Sequence, residues 1–313
     1  FIFGILRKSL YSDPLKAIVQ EYSSNSRDAN REVGKPNTPI EITINNNEGY
    51  IVFKDDGPGI SEYRMKEVVL WYGRSSKRKD NKQTGGFGLG LKVSFYLSDS
   101  FLITTKVDNH CYEYCAFIDE SSKGALKLID KREMRPGEST GTEIRVPVGR
   151  NNCAAAAQHV RDITQWWSPP AILHGFPKIK NIQPFLSGSG WVILSEETRN
   201  SISKVPVCIC DGIPFYNSPP SDKGISIPRN VILVFKTGEV QISANRESLY
   251  WSDITSDAFK NKIENFRKEY KAHLEKDLNN LTEWEDKILY LNNTMKVFND
   301  KKMIEGLSYK NPV

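Results

Sequence analysis

Two glycine-bearing turns constrain this chain more than any other feature, because each holds a fixed place in an ordered series of elements. Asp55-Asp56-Gly57-Pro58-Gly59 follows a strand pattern, and Gly85-Gly86-Phe87-Gly88-Leu89-Gly90 leads into a helical one. Ahead of both, Leu15, Ile18, Val19 and Tyr22 recur at three- and four-residue spacing. The helix they predict over 15–33 opens on Asp13-Pro14 and closes on Gly34 and Pro36. Residues 40–45 and 50–54 alternate apolar and polar side chains around Asn46-Asn47-Glu48-Gly49, which predicts a β-hairpin. A short amphipathic helix is expected over 62–72, a loop without apolar periodicity over 74–86, and a helix over 90–96. Strand-like runs then follow at 100–106, 111–118, 125–131 and 142–148. The series predicts an α+β sandwich, a mixed sheet with helices on one face.

At 313 residues the chain exceeds what a single core usually supports. Composition shifts after Gly149, where Ala154–Ala157 begin a helical stretch that Pro169-Pro170 ends. Strands are expected at 205–210, 213–216 and 231–236, and a charged helix at 257–291 carries Phe259, Ile263, Phe266, Tyr270 and Leu274 on one stripe. The expected organisation is a first domain over 1–150, a second α/β domain over 151–256, and a charged helical segment over 257–313. Net charge is +5, an excess too mild to argue for a nucleic-acid or anionic-lipid partner, although it permits either. The five cysteines include no CxxC pair, which disfavours a zinc ribbon. Cys208 and Cys210, two apart on a strand, read as buried thiols in a reducing compartment. No run approaches the roughly 18 apolar residues of a spanning helix, and no basic-then-apolar signal peptide is visible in the sequence.

The chemistry concentrates in the first half. Glu21, Asn25 and Asp28 lie at i, i+4 and i+7 of the first helix, on one stripe. Three such residues alone would read as a solvated face; their place before the two turns argues otherwise. Glycines let backbone approach phosphate oxygens, and the helix entered at Gly90 offers N–H groups to an anion. No GxxxxGK[ST] is present, and a Rossmann fingerprint would follow a first strand directly. An amide oxygen from Asn25 suits Mg²⁺, a hard cation that keeps several waters. Glu21, one turn earlier, can accept a proton from attacking water. Asp55, a lone carboxylate at a strand end, suits an exocyclic amine and so adenine over guanine.

Glu21-Tyr22-Ser23-Ser24-Asn25-Ser26-Arg27-Asp28-Ala29 resembles the first motif, ExxxNxxDA, of the GHKL superfamily of gyrase B subunits, HtpG-type chaperones, histidine kinases and MutL proteins. The resemblance implies a Bergerat-type ATP-binding α/β sandwich, followed by a transducer- or middle-like α/β domain with a helical end. It implies ATP and Mg²⁺ as cofactors, with Glu21 orienting water, Asn25 as metal ligand and Asp28 as a pocket residue. By the same likeness Asp55, with Gly57 and Gly59, binds the adenine amino group. Gly85, Gly86, Gly88 and Gly90 shape the lid and meet the phosphates, and Thr142, after Gly141, supports adenine through water. In the basic stretch Arg74, Lys77, Arg78, Lys79 and Lys82, a solvated loop is the plain reading. The functional one is that Lys77 neutralises phosphate charge on closure; nucleic-acid binding ranks last, without interleaved aromatics. Ser243-Ala244-Asn245-Arg246-Glu247-Ser248-Leu249 is similar to a middle-domain segment of HtpG-type chaperones. That likeness implies that Arg246 senses the γ-phosphate, against the plain reading of an Arg–Glu surface pair at a helix start.

A narrower likeness, in Ile5–Asp13, Gly85–Gly90, Gly141–Val148 and Ile242–Leu249, is to the rIIA family of rapid-lysis proteins of T-even phages. It implies a phage protein in the host bacterial cytoplasm or at the inner membrane face, linked to lysis timing or exclusion. Expected partners are a second copy of the chain, a protein client and the inner-membrane surface. A histidine kinase is disfavoured, because His110, His159, His174 and His273 all follow the nucleotide motifs and Glu21 is present. The remaining alternatives to a slow ATPase switch are a nucleotide-binding scaffold that barely hydrolyses and a MutL- or chaperone-like ATPase acting on nucleic acid or protein.

Overall fold

Helix α1 (Pro14–Glu32) starts and stops where its caps dictate. The Asp13 side chain accepts the Lys16 amide at 2.9 Å, and Pro14 occupies a position whose N–H would have no helical partner. At the other end Gly34 N donates to Arg31 O and Lys35 N to Asn30 O, the paired bonds of a Schellman cap. The structure is a computed structural model and describes residues 11–65, 90–121, 123–179, 182–202, 204–243, 245–298 and 304–307.

The chain divides into two units, residues 1–181 and 182–313. In the first, a seven-stranded sheet has the order β5-β4-β3-β6-β2-β1-β7. Its strands are β1 (Glu41–Asn45), β2 (Tyr50–Lys54), β3 (Ser100–Val107), β4 (His110–Ile118), β5 (Gly124–Glu133), β6 (Gly141–Pro147) and β7 (Ile172–His174). All neighbours are antiparallel except β1 and β7, which run parallel. The register lines up one inward row across six strands: Tyr114, Ile103, Ile144, Phe53, Ile42 and Leu173, each buried. Helix α1 packs on β2 and β6 and helix α2 (Cys153–Thr164) on β1, β2 and α1, so this row is the core under the helices. Ile18 and Val19 are fully buried, and burying each such side chain is worth roughly 1.5–3 kcal/mol.

The second unit holds a five-stranded sheet of order β11-β10-β12-β9-β8. Its strands are β8 (Leu186–Gly188), β9 (Trp191–Ile193), β10 (Cys208–Cys210), β11 (Ile213–Phe215) and β12 (Val231–Phe235), with short helix α3 (Glu196–Ser201) after β9. Helix α4 (Asp253–Asn280) buries Phe259, Ile263, Phe266, Tyr270, Leu274 and Leu278. Phe259 meets Phe235 at 4.8 Å and Phe266 meets Trp191 at 5.0 Å between ring centroids. Helix α5 (Trp284–Phe298) follows. Cys208 and Cys210 are buried, and burial pushes both thiols up, Cys210 to about 12.

The helix expected over 90–96 is present as a 3-10 helix, Gly90–Tyr96. Other local features differ from the sequence reading. The charged helix starts four residues earlier than expected and breaks into α4 and α5 at Leu281, after Asn279-Asn280, poor helix formers that leave the ladder easily. The composition shift at Gly149 marks the entry to α2, whose packing on α1 and β1, and the pairing of β7 with β1, keep residues 153–174 in the first unit.

Candidate functional site

The inward face of the large sheet turns polar at one register step. Along β2 the inward positions are Ile51, Phe53 and then Asp55, the first residue past the strand; on β6, Ile144 gives way to Thr142, and on β3, Ile103 gives way to Thr105. Period-two alternation thus sets Asp55, Thr142 and Thr105 side by side where the apolar row stops. Asp55 N donates to Thr142 O at 3.0 Å, Thr142 N donates to Asp55 Oδ1 at 3.1 Å, and Gly57 N donates to the same oxygen at 3.0 Å. Thr105 Oγ1 accepts the Ile60 amide at 2.7 Å, fixing the far end of the turn. Asp55 is buried, and burial pushes its carboxyl up to about 7 against the opposing effect of the two amides.

Helix α1 lies against this turn. A Cβ at Gly57 would come within 2.5 Å of the Ala29 Cβ, so turn and helix touch where neither side chain is larger than a methyl. Gly59 has φ +74, and a Cβ there would lie 2.3 Å from Lys106 O. Asn30 ties the pieces together: its Oδ1 accepts the Asp56 amide at 2.8 Å and its Nδ2 donates to Thr38 O at 3.1 Å. Ser26 hydrogen-bonds the Asp55 carboxylate. One turn earlier Tyr22, fully buried, hydrogen-bonds Ser94 of the Gly90–Tyr96 helix at 2.6 Å.

Tyr22, Ser26 and Ala29 form the stripe that faces sheet and turn. Glu21, Asn25 and Asp28 precede them by one residue each, so they form a second stripe beside the first, rotated by about 100°. Glu21 and Asp28 are buried and Asn25 half-buried. Asp28 accepts from Arg31 at 3.2 Å. Among the described residues the Asn25 side chain has no hydrogen bond. Gly90 opens the 3-10 helix that packs on α1. The site residues expected at Lys77, Gly85, Gly86 and Gly88 lie outside the described residues.

Arg246 belongs to the second unit. It sits in a loop closed by the Ile242–Leu249 bridge and by Ser243 N donating to Ser248 O at 2.9 Å. Within the loop Arg246 N donates to Ser243 O at 2.8 Å, and Asn245 Nδ2 donates to Glu247 Oε2 at 2.7 Å. Arg246 takes φ 57, a left-handed conformation unusual for a residue with a side chain. The segment is therefore a braced loop tip, and the next helix, α4, begins only at Asp253.

The structure joins Asp55, Gly57 and Thr142 by direct hydrogen bonds, and sets Glu21, Asn25 and Asp28 on the adjoining helix. The sequence reading missed Ser26, Asn30 and Thr105, which hold the turn. Their signal was faint: Ser26 and Asn30 are polar residues at helix positions that an apolar core would otherwise claim, and Thr105 is a polar residue at an inward strand position.

Residues 11–142 match the family described as "Histidine kinase-, DNA gyrase B-, and HSP90-like ATPase". A chaperone protein HtpG of Rickettsia canadensis (strain McKiel) is 27% identical over 128 residues, covering 34% of this chain and 20% of that protein. The chain thus spans about a fifth of the length of this relative. The ATPase region of Saccharomyces cerevisiae topoisomerase II is similar in fold, with a TM-score of 0.51 and 15% identity over 74% of this chain and 76% of that one.

Proposed function

We propose, from the premise that residues 11–142 form a GHKL-type ATPase domain, that this chain binds ATP with Mg²⁺ and hydrolyses it slowly. The observation that carries the reading is the buried Asp55 carboxyl, oriented by the Gly57 and Thr142 amides at the point where the sheet's inward face turns polar. A carboxylate has room for about four donors, so it can accept a further N–H from an exocyclic amine. Guanine presents a carbonyl oxygen at the corresponding position, which would leave the carboxylate facing an acceptor. Thr142 and Gly57 act as the frame, and the tight approach of Gly57 to Ala29 fixes the distance between frame and helix.

The phosphate end falls to α1. Asn25 offers an amide oxygen with no competing hydrogen bond among the described residues, which fits a hard cation. Bound Mg²⁺ would neutralise phosphate charge. Glu21, buried on the same stripe, is the group that accepts a proton from the attacking water, and Asp28, held by Arg31, lines the pocket. Lys77 and the glycines Gly85, Gly86, Gly88 and Gly90 serve the phosphates from the lid. The left-handed Arg246 backbone, braced by its loop, suits a residue held ready for the γ-phosphate. Lid closure and Arg246 docking would couple nucleotide state to the second unit and to pairing with a second copy, as order–disorder switches do.

At a finer level, the likeness at Gly141–Val148 and Ile242–Leu249 supports an rIIA-like role in lysis timing or exclusion, in the host cytoplasm or at its inner membrane face. Disrupting the coding sequence in an infecting phage and timing lysis tests that role; unchanged timing and host range would remove it. For the enzyme itself, the test is ATP titration with phosphate release on wild type and Glu21→Ala. Expected are retained ATP binding and a loss of turnover of about a hundredfold or more, the scale of general-base catalysis. Unchanged turnover would remove Glu21 as base, and binding without turnover in the wild type would make the chain a nucleotide-dependent scaffold.

A further inference from the structure

Among the described residues, two buried serine hydroxyls of helix α1 have no hydrogen-bond partner, those of Ser23 and Ser24. Buried polar atoms are rarely left unsatisfied, because the group has given up water for nothing, so each calls for a reason. The two differ in where the helix points them. At about 100° per residue, Ser24 stands about 60° from Glu21, about 40° from Asp28 and about 100° from Asn25, at the edge of the stripe they form. Ser23 stands about 160° from Glu21, next to Arg27 at i+4, whose guanidinium lies 4.8 Å over the Trp167 ring. Ser23 therefore belongs to packing on the far side of the helix, and Ser24 to the edge of the functional stripe, beside Glu21 and Asp28.

We propose that Ser24 is a positioning residue of the nucleotide site, its hydroxyl satisfied on ligand binding by a water of the hydrated Mg²⁺. The inference rests on the ATP reading above. Mg²⁺ takes few protein ligands and keeps several waters, and those waters are strong hydrogen-bond donors. Ser24 is adjacent in sequence to the proposed metal ligand Asn25 and one helical turn from the proposed base Glu21. A hydroxyl oxygen there can accept from such a water and hold it near the Glu21 carboxylate. The free protein then carries an unsatisfied group that the loaded protein does not.

Thermal melting and ATP titration of wild type, Ser24→Ala and Ser23→Ala, each with Mg²⁺ and with EDTA in its place, test this. Both alanine variants are expected to melt higher than wild type without nucleotide, since each removes an unsatisfied hydroxyl and alanine favours the helix. With Mg²⁺, only Ser24→Ala is expected to bind ATP about three- to tenfold more weakly, the scale of one hydrogen bond. With EDTA the three proteins are expected to bind alike. Wild-type affinity of Ser24→Ala in Mg²⁺ would overturn the proposal, as would an equal loss in Ser23→Ala. A loss that persists in EDTA would move the hydroxyl's partner from metal water to the nucleotide and overturn it too. No ATP-dependent shift in the wild type would instead overturn the ATP reading, and this role with it.

Discussion

Asp55 is a surface-type residue placed at a core position by strand register, and its titration follows from that. Burial pushes its carboxyl up to about 7, from an ordinary value near 3.8. Between those values the folded protein binds a proton that the unfolded chain releases. The protonated group's contribution to stability is therefore complete below the ordinary carboxyl range and is lost as pH rises through about 7. Asp55→Asn keeps an oxygen for the Gly57 and Thr142 amides and cannot ionise. Its melting temperature should gain on that of the wild type as pH rises from about 4 to about 7 and hold a constant lead above that. Parallel melting curves across the range would show that the carboxyl is not desolvated. Because adenine's amine wants the charged form, ATP affinity of the wild type should rise over the same interval, and that pH dependence should vanish in Asp55→Asn. The places of Glu21, Asn25 and Asp28 on the first helix and of Asp55 at the end of the second strand were legible because each sits at a fixed offset from a cap, a turn or a neighbour. Ser26, Asn30 and Thr105 were not, because a lone Ser, Asn or Thr says nothing of which tertiary neighbour it meets.

Elements come together here through one tight contact and a few directed hydrogen bonds. The Gly57 turn and α1 meet at Ala29, and the 2.5 Å that a Gly57 Cβ would leave to the Ala29 Cβ allows no methyl on both sides. Gly57→Ala should therefore destabilise by about 1–3 kcal/mol, the usual cost of overpacking. Ala29→Gly alone should cost about 1 kcal/mol through helix propensity. In the double variant the two costs should fall short of their sum, because the small residue has changed sides; denaturant titration of the four proteins gives the coupling. Strict additivity would mean that the turn relaxes away from the helix. At this scale the first helix and the hairpin were readable to within a residue or so, since caps and alternation both act locally. Strands β7, β8 and β9, three residues each, were too short for alternation to register and exist because neighbouring strands offer them partners, whereas the equally short β10 and β11 lie within the strands expected at 205–210 and 213–216.

The division of the whole molecule follows from where the first core is closed. Residues up to Gly149 supply six of the seven strands in the large sheet, yet they leave β1 as a bare edge and strip α2 from the inward faces of β1 and β2. Ile42 and Ile44, both buried, would then face water, Ile42 having also lost its cross-strand partner Leu173. Composition changes at Gly149 because α2 is alanine-rich, and composition is blind to which side of a boundary a helix packs on. A fragment ending at residue 150 should thus fail to give a cooperative melt, whereas one ending at 181 should melt cooperatively. If Arg246 of the second unit acts on the γ-phosphate, the 1–181 fragment should bind ATP with the affinity of the full chain and lose hydrolysis. Arg246→Gly in the full chain should lose hydrolysis alike, by on the order of tenfold or more. Glycine is the choice because it accepts the left-handed backbone that Arg246 adopts, so the loop survives while the guanidinium goes. Full hydrolysis by the fragment would place all of the chemistry in the first unit and leave the Arg246 loop a structural turn.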